Sequence, residues 1–425
     1  MPPSRDMFPR RRVLQLAALG GVSWLTPAAE LLAQQSEQKP SAGPAQSIIL
    51  LWLAGGPSQL ETFDPHPGTA ISGETKAIGT AVRGIKLAQG YERLAERLEH
   101  VALVRSVTSK EGDHERGSYT VKTGYRPNPT VVHPSIGAIC CHQLPVGTTQ
   151  IPRHVSILDT QWPGVGGLLG KQYDAFQCGD PAGKVPDITA QVADDRMRRR
   201  LADLNVVEAA FARGRRQTAA GTRHQKTIES AQSMMTSGQI DAFDVKREPK
   251  SLLASYGDTP FGRGCLAARR LIEVGVRCVE VNLGGWDSHV NNHEVHATLA
   301  PTLDAALSAL IDDLRRRDLF DRTILLCGGE FGRTPKINAL GGRDHWPHGF
   351  TMLLAGGRLR GGVALGATDP AGGRQVKNPF DVSDIHATVL TALGVDPGHE
   401  ELAPIGRPIK LSEGRPIEAL LNNLA

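Results

Sequence analysis

One stretch decides the fold class of this 425-residue chain: residues 48–53, IILLWL, which run into the turn sequence Gly55-Gly56-Pro57. A continuous apolar run of this length, bounded by Gly and Pro, is typical of a strand that is covered on both faces in a parallel sheet. Similar runs recur at residues 101–104, 154–158, 276–281, 323–327 and 351–355. The chain therefore carries the strands of one large sheet.

Helical patterns separate these runs. They lie at residues 91–98, 265–274, 299–317 and 383–393. Strands that alternate with helices predict an α/β fold with a doubly wound, mainly parallel sheet. The segment at about 190–250 is different, because it is rich in charge, carries Ala, Leu and Val at helical spacing and contains no strand pattern. We interpret it as a helical cap inserted into the α/β domain.

Composition excludes several classes of protein. With 40% hydrophobic and 22% charged residues, the chain has an ordinary globular balance. The net charge is only +4, and no basic patch is interleaved with aromatic residues. Nucleic acid is therefore a poor candidate partner. The six cysteines include no CxxC pair, and a chain of this size does not need disulfides, although one or two remain compatible with the sequence.

The first 33 residues have the anatomy of an export signal. Residues 9–14, PRRRVL, precede an uncharged apolar run at 16–25 and a small-residue region, TPAA, at 26–29. The paired arginines resemble a twin-arginine signal, which predicts a periplasmic or extracellular protein. A permanent anchor is the alternative, but the apolar run is shorter than the ~20 residues that a membrane span needs. A polar linker at 34–46 follows, and the main domain begins at residue 47.

Carboxylates and imidazoles gather in loops that follow two predicted strands. Because the carboxyl ends of parallel strands meet at one edge of a sheet, we expect these side chains to share a crevice. Anionic oxygen and neutral imidazole nitrogen are ligands that suit Zn²⁺ and similar divalent ions. The alternative is a hydrogen-bonded loop network without a metal. The candidate ligands are Asp287, His289, Glu330, Asp344, His345 and His348.

Three further residues are candidates with open alternatives. Asp64 follows the first strand and could bind a metal, although an Asp before Pro often only forms a turn. His114 stands at a predicted helix start, where it could act as ligand, base or nucleophile, while Asp113 before it could simply cap the helix. Arg333 could hold an anionic substrate through two parallel hydrogen bonds, or form a surface ion pair.

Five segments together carry a resemblance to a known family. They read GGPSQLETFDP at 55–65, GWDSH at 285–289, GEFGRTP at 329–335, GRDHW at 342–346 and DIHATVLTALG at 384–394. Their order resembles the alkaline phosphatase and sulfatase superfamily, and more closely its secreted branch called domain of unknown function 1501. The resemblance covers roughly residues 47–411.

The resemblance implies a three-layer α/β/α sandwich, alkaline-phosphatase-like, over residues 47–413, with a short tail at 414–425. It also implies metal at the strand ends and hydrolysis of sulfate or phosphate esters. The chain departs from that pattern in two places, with Ala-Gly-Gly at 54–56 where those hydrolases have a metal-binding Asp, and Phe331 after Glu330. In the place of the nucleophile it has His114, so no Cys or Ser is available for conversion to formylglycine.

Two hypotheses follow for the function. In the first, the protein hydrolyses an anionic ester, which could be part of a polysaccharide, with one divalent ion, zinc or calcium. Asp287, His289 and one of His345 or His348 would hold that ion, while His114 moves protons or forms a phospho-enzyme and Arg333 stabilises developing charge. In the second, the protein is catalytically degenerate and its crevice binds an anionic polysaccharide or a protein partner at a surface.

Overall fold

A computed structural model describes residues 43–183, 185, 188, 192–212, 223–374 and 376–421. The predicted leader at 1–33 and residues 34–42 of the predicted linker lie outside the described residues, and so do residues 422–425 of the tail. Within the described part of the chain, no helix combines the length and the apolar character that crossing a membrane requires.

The strands are short. They are β1 (Ser47–Leu53), β2 (Ala77–Gly79), β3 (Lys86–Ala88), β4 (Val101–Thr108), β5 (His154–Ile157), β6 (Phe176–Cys178), β7 (Cys278–Leu283), β8 (Thr323–Gly328), β9 (Gly332–Arg333), β10 (His345–Trp346), β11 (Phe350–Gly356), β12 (Val363–Leu365), β13 (Phe380–Asp381), β14 (Glu400–Leu402) and β15 (Pro408–Lys410). The six predicted apolar runs coincide with β1, β4, β5, β7, β8 and β11.

The helices lie between these strands. They are α1 (Glu92–Glu96), α2 (His114–Thr123), α3 (Ile136–Gln143), α4 (Asp194–Ala212), α5 (Arg223–Thr236), α6 (Lys250–Tyr256), α7 (Pro260–Glu273), α8 (Asn292–Arg316), α9 (Val382–Ala392) and α10 (Glu418–Leu421). The segment at 190–250, predicted to be a helical cap, contains α4 and α5 and no strand among its described residues. The sequence pattern had not indicated α3, and it placed the start of α8 seven residues too late.

Within the described residues, nine strands form the central sheet. Its order is β12-β4-β11-β8-β1-β7-β5-β6, and β13 also pairs with β4. All neighbouring pairs are parallel except those made by β11, which runs antiparallel to both β4 and β8. The predicted α/β fold with a mainly parallel sheet is thereby confirmed.

Strand β1 shows why the sheet is covered on both faces. Its residues are all buried, and they alternate between two hydrophobic cores. Ile49, Leu51 and Leu53 belong to one core, which includes side chains of α7 and α8. The side chains between them, such as Leu50 and Trp52, belong to a second core with α3 and α9. Two helical layers therefore enclose one sheet, which is the arrangement that a continuous apolar strand requires.

The six cysteines are another point on which the structure decides what the sequence left open. All six are buried and free, so no disulfide is present. Burial raises the pKa of their thiols, for example that of Cys178 to about 12. They are apolar packing groups with little thiolate character in this structure.

Candidate metal centre

The sheet topology brings the candidate loops to one edge. Strands β1, β4, β7 and β8 are mutually parallel, so their carboxyl ends lie together. Strand β11 is antiparallel, and its amino end therefore lies at the same edge. The loops after β7 and β8, the start of α2 after β4, and the loop before β11 consequently meet there.

His345 presents one ring nitrogen to this crevice. Its Nδ1 donates to the backbone carbonyl of Gly112 at 2.8 Å, and because a carbonyl can only accept, Nδ1 carries the proton. In the neutral ring, Nε2 is then an unprotonated acceptor. This Nε2 lies 3.4 Å from Oδ1 of Asp287. Burial lowers the pKa of His345, so the neutral form is favoured.

His289 is held in the same way by a carboxylate. Its Nδ1 donates to Oδ1 of Asp344 at 2.9 Å, which leaves Nε2 as the acceptor. That Nε2 lies 3.0 Å from Nε2 of His345 and 3.1 Å from Oδ1 of Asp287. Asp344 therefore orients His289, and the hydrogen bond from that ring lowers the pKa of the Asp344 carboxyl.

His114 approaches the same carboxylate from the other side. It begins α2, where Asp113 accepts a hydrogen bond from the backbone N–H of Arg116 as the N-cap. Its Nδ1 lies 2.7 Å from Oε1 of the buried Glu330, and its Nε2 lies 3.3 Å from Oδ2 of Asp287. The hydrogen bond to Glu330 raises the pKa of His114.

The donor set fits a divalent cation. Two imidazole lone pairs that face each other at 3.0 Å repel, and a carboxylate beside them adds negative charge. A cation among these three donors relieves that repulsion, and imidazole with carboxylate is a common ligand set for Zn²⁺. A second possible donor set has His114 in place of His289, because His114, Asp287 and His345 each have one potential ligand atom within 4.8 Å of the other two.

Arg333 is fully buried and positions Asp287. Its guanidinium donates to the carbonyls of Gly55, Gly56 and Arg343 and, at 2.5 Å, to Oδ1 of Asp287. Burial opposes ionisation of Asp287, but the hydrogen bond and charge of Arg333 outweigh it and lower the pKa of that carboxyl. Three of the four acceptors are backbone carbonyls, so the guanidinium donates its hydrogen bonds to groups within the protein in this structure.

Glycines allow the loops to come this close together. Gly56 has a φ of +75°, and a Cβ there would lie 2.5 Å from the ring of Phe331. A Cβ on Gly342 would overlap the backbone carbonyl of His289. The residues that depart from the hydrolase pattern, Gly56 and Phe331, therefore pack against each other beside the site. Phe331 also lies 5.2 Å from the ring of His114 and 4.4 Å from that of His345.

The structure places two predicted ligands elsewhere. Asp64 is buried and accepts hydrogen bonds from the backbone and the hydroxyl of Thr368, at 2.9 and 2.7 Å, with Arg105 3.5 Å away. His348 packs its ring edge-on against Trp346 at 4.9 Å. Neither contributes to the group formed by the three histidines and Asp287. Glu330 and Asp344 are part of the site, but each contacts a histidine and so orients it.

Sequence reasoning missed several supporting groups. The carbonyl of Gly112 that orients His345 is a backbone group, which no side-chain pattern reveals. Asn338 donates to the His289 carbonyl at 3.0 Å and to Asp344 at 3.3 Å, tying the two loops together. Trp162 stacks over His114 at 6.4 Å with its ring nearly parallel, although 48 residues separate them. Only the tertiary structure brings such partners together.

The chain belongs to the family described as Protein of unknown function (DUF1501), whose model matches residues 45–421. No curated protein matches the sequence significantly.

Three solved structures match the chain at low sequence identity and low TM-score. The C-terminal periplasmic domain of EcEptC from Escherichia coli, in a complex with Zn, is 9% identical with a TM-score of 0.40, covering 90% of this chain and 97% of that one. Alkaline phosphatase from the Antarctic bacterium TAB5 is 12% identical with a TM-score of 0.36, covering 83% and 99%. The PsFucS1 sulfatase from Pseudoalteromonas sp. is 11% identical with a TM-score of 0.36, covering 87% and 70%.

Proposed function

We propose that this protein is an exported, metal-dependent hydrolase of sulfate or phosphate esters that uses one divalent ion. The observation that carries the proposal is the convergence of the Nε2 atoms of His289 and His345 on the Asp287 carboxylate, with both Nδ1 atoms already committed as donors. Zinc fits this nitrogen-rich set better than calcium, which prefers oxygen ligands. The half-exposed Asp287 leaves the centre open to an ester from solvent.

The residues divide into ligands, orienting groups and a proton carrier. Asp287, His289 and His345 hold the ion, which when bound would polarise an ester oxygen and lower the pKa of a bound water. Glu330 fixes Nδ1 of His114, and Nε2 of that ring faces the centre. A histidine held by a buried carboxylate is the arrangement of a general acid or base. His114 therefore carries the proton to the leaving oxygen or from the water.

No conventional nucleophile is needed in this scheme. Ser58 follows β1, but its side chain is fully buried and its backbone N–H donates to Nε2 of His296 at 2.9 Å. It cannot reach an ester in this structure. Direct attack by water is consistent with the presence of His114, and not a Ser or Cys, in the nucleophile's place.

The central test is turnover by the mature protein loaded with zinc. We expect hydrolysis of an aryl phosphate or aryl sulfate that is lost on chelation and restored by zinc. His345→Ala should lose both the ion and the activity, whereas His114→Ala should keep the ion and lose about 10²- to 10⁴-fold in kcat. His142→Ala, a histidine on α3, is the matched control and should change neither. If the mature protein binds no divalent ion and turns over no ester, the proposal fails.

A further inference from the structure

A cleft of about 500 Å³ lies along α2, outside the proposed metal centre. It begins at Ser109 and Lys110, just before the loop that leads to His114, and it extends to the C-cap of α2 at Gly124. Its far wall is the β14–β15 hairpin, and the start of α9 closes one side. A cleft of this volume is large enough for a drug-sized or oligosaccharide ligand.

His133 places a hydrogen-bond donor in this cleft. Its backbone N–H donates to the hydroxyl oxygen of Tyr119 at 2.6 Å, and the hydroxyl hydrogen is then free to donate to Nδ1 of the same ring, at 2.9 Å. In the neutral ring, the proton is therefore on Nε2, which has no hydrogen-bond partner among the described residues. Tyr125 stacks on the ring at 4.2 Å and holds its plane.

The walls carry both signs of charge. Four exposed cationic side chains line the cleft: Lys110, Arg126, Arg407 and Lys410. Within the described part of the chain, Arg126 is the only one of the four that forms an ion pair, and its partner is Glu111. Carboxylates face the same space, so the lining does not form a purely cationic surface. They are Asp381, Glu400 and Glu413.

We propose that this cleft binds an anionic oligosaccharide, with its charged group at Arg407, Lys410 and Nε2 of His133. A sulfate or carboxylate group would pair with the two cations and accept the His133 hydrogen bond. The sugar hydroxyls would donate to the carboxylates, which would repel a bare inorganic anion. A polyhydroxylated ligand with an anionic substituent can pair with the cations and also donate hydrogen bonds to the carboxylates. A polyphosphate or a nucleic acid would place negative charge against those carboxylates.

The proposed binding of an oligosaccharide in this cleft does not depend on the proposed hydrolysis. Its lining includes none of the three histidines of the metal centre, nor Asp287. A ligand bound here would extend along α2, whose ten residues span ~15 Å, and would present a neighbouring unit near His114. The two proposals can therefore fail separately.

The test is binding of a sulfated galactan hexasaccharide to the mature protein by titration calorimetry. The desulfated hexasaccharide and inorganic sulfate serve as comparison ligands. We expect the sulfated sugar to bind at least about tenfold more tightly than either of them, and Arg407→Gln with Lys410→Gln to weaken it by about tenfold or more. Arg83→Gln, a substitution of an exposed arginine outside the cleft, should leave the affinity for the sulfated sugar unchanged.

Three outcomes would overturn the inference. Equal affinity for the sulfated and desulfated sugars would show that no anion site is present. Undiminished affinity in the Arg407 and Lys410 double variant would place the ligand elsewhere. Loss of binding in His345→Ala, with the double variant unaffected, would assign the sugar to the metal centre. Circular dichroism of each variant excludes misfolding as the cause, and exposed Arg407 and Lys410 can be replaced without opening the core.

Discussion

At the scale of single residues, the site depends on which nitrogen of each histidine carries the proton. His345 and His289 have their Nδ1 atoms fixed by an acceptor, one a backbone carbonyl and the other Asp344. Both rings consequently offer Nε2 to the same point. The donor atoms that this candidate centre offers are thus set by acceptors outside the proposed ligand set.

The orienting role of Asp344 leads to a quantitative prediction. Asp344→Asn keeps the size of the side chain but weakens the hydrogen bond that fixes His289, so zinc affinity should fall by about 10- to 100-fold. Competition with a fluorescent chelator measures this change. Asp321→Asn is the control, because Asp321 lies in a distant short turn before β8. Unchanged affinity in Asp344→Asn would mean that His289 is not a ligand, or that Asp344 does not orient it.

At the scale of elements, two loops are interlocked by glycine. The loop after β7 meets the β9–β10 loop where Gly342 contacts the carbonyl of His289, and the Arg343 N–H donates to the carbonyl of Ser288 at 2.9 Å. The short β9–β10 pair then sets His345 opposite Arg333. The distance between the two imidazoles therefore depends on backbone packing as well as on their side chains.

This packing predicts a contrast between two glycine variants. Gly342→Ala places a methyl group against the His289 carbonyl, so the loops must separate, and both zinc affinity and the melting temperature should fall. Gly284→Ala lies in the same loop as His289 but has nothing within 4 Å of the new Cβ, so it should change little. Differential scanning fluorimetry with and without zinc measures both effects. Equal behaviour of the two variants would contradict the interlocked arrangement.

At the scale of the whole molecule, a buried ion pair links α2 to the middle of the sheet. Lys122 on α2 donates to Glu280 on β7 at 2.7 Å, and His154 on β5 contacts the same carboxylate at 3.2 Å. Lys122 also donates to the Trp162 carbonyl at 2.8 Å. The helix that begins with His114 is thereby anchored to the strand that leads to Asp287.

Removing the charge at this anchor should destabilise the fold. Glu280→Gln leaves Lys122 buried without its counter-charge, and such a loss typically costs about 3–5 kcal/mol. Urea denaturation measures the change. The matched control is Glu92→Gln on the exposed face of α1, which should stay within about 0.5 kcal/mol of the parent protein. A change of similar size in both variants would contradict the anchoring role.

The same pair predicts how stability depends on pH. Burial opposes ionisation of Glu280, but Lys122 and His154 outweigh it and lower the pKa from 4.5 to about 2. Since the folded-state pKa is the lower one, the stabilisation is fully present above 4.5 and is lost as the pH falls towards 2. The stability difference between the parent protein and Glu280→Gln should therefore shrink across that interval. A difference that is constant with pH would show that Glu280 is not the group responsible.

The sequence by itself determined the fold class and six of the nine strands that form the central sheet in the described residues. Residues 48–53 predict a strand covered on both faces because apolar side chains alternate in direction along a strand, so a continuous run needs a core on each side. The order of motifs likewise predicted which loops carry carboxylates and imidazoles. These properties follow from local periodicity and from the rule that sites lie at the carboxyl ends of parallel strands.

Only the tertiary structure decided which of those residues act together. Asp64 and His348 are predicted to be ligands from the sequence. In the structure, Asp64 accepts a hydrogen bond from Thr368, and His348 packs against the ring of Trp346. Arg333 is separated from Asp287 by 46 positions, and their hydrogen bond exists because β8 and β7 both flank β1. Ligand geometry depends on distances of a few ångströms between loops far apart in sequence, and on backbone acceptors such as the Gly112 carbonyl, which no pattern of residue types encodes.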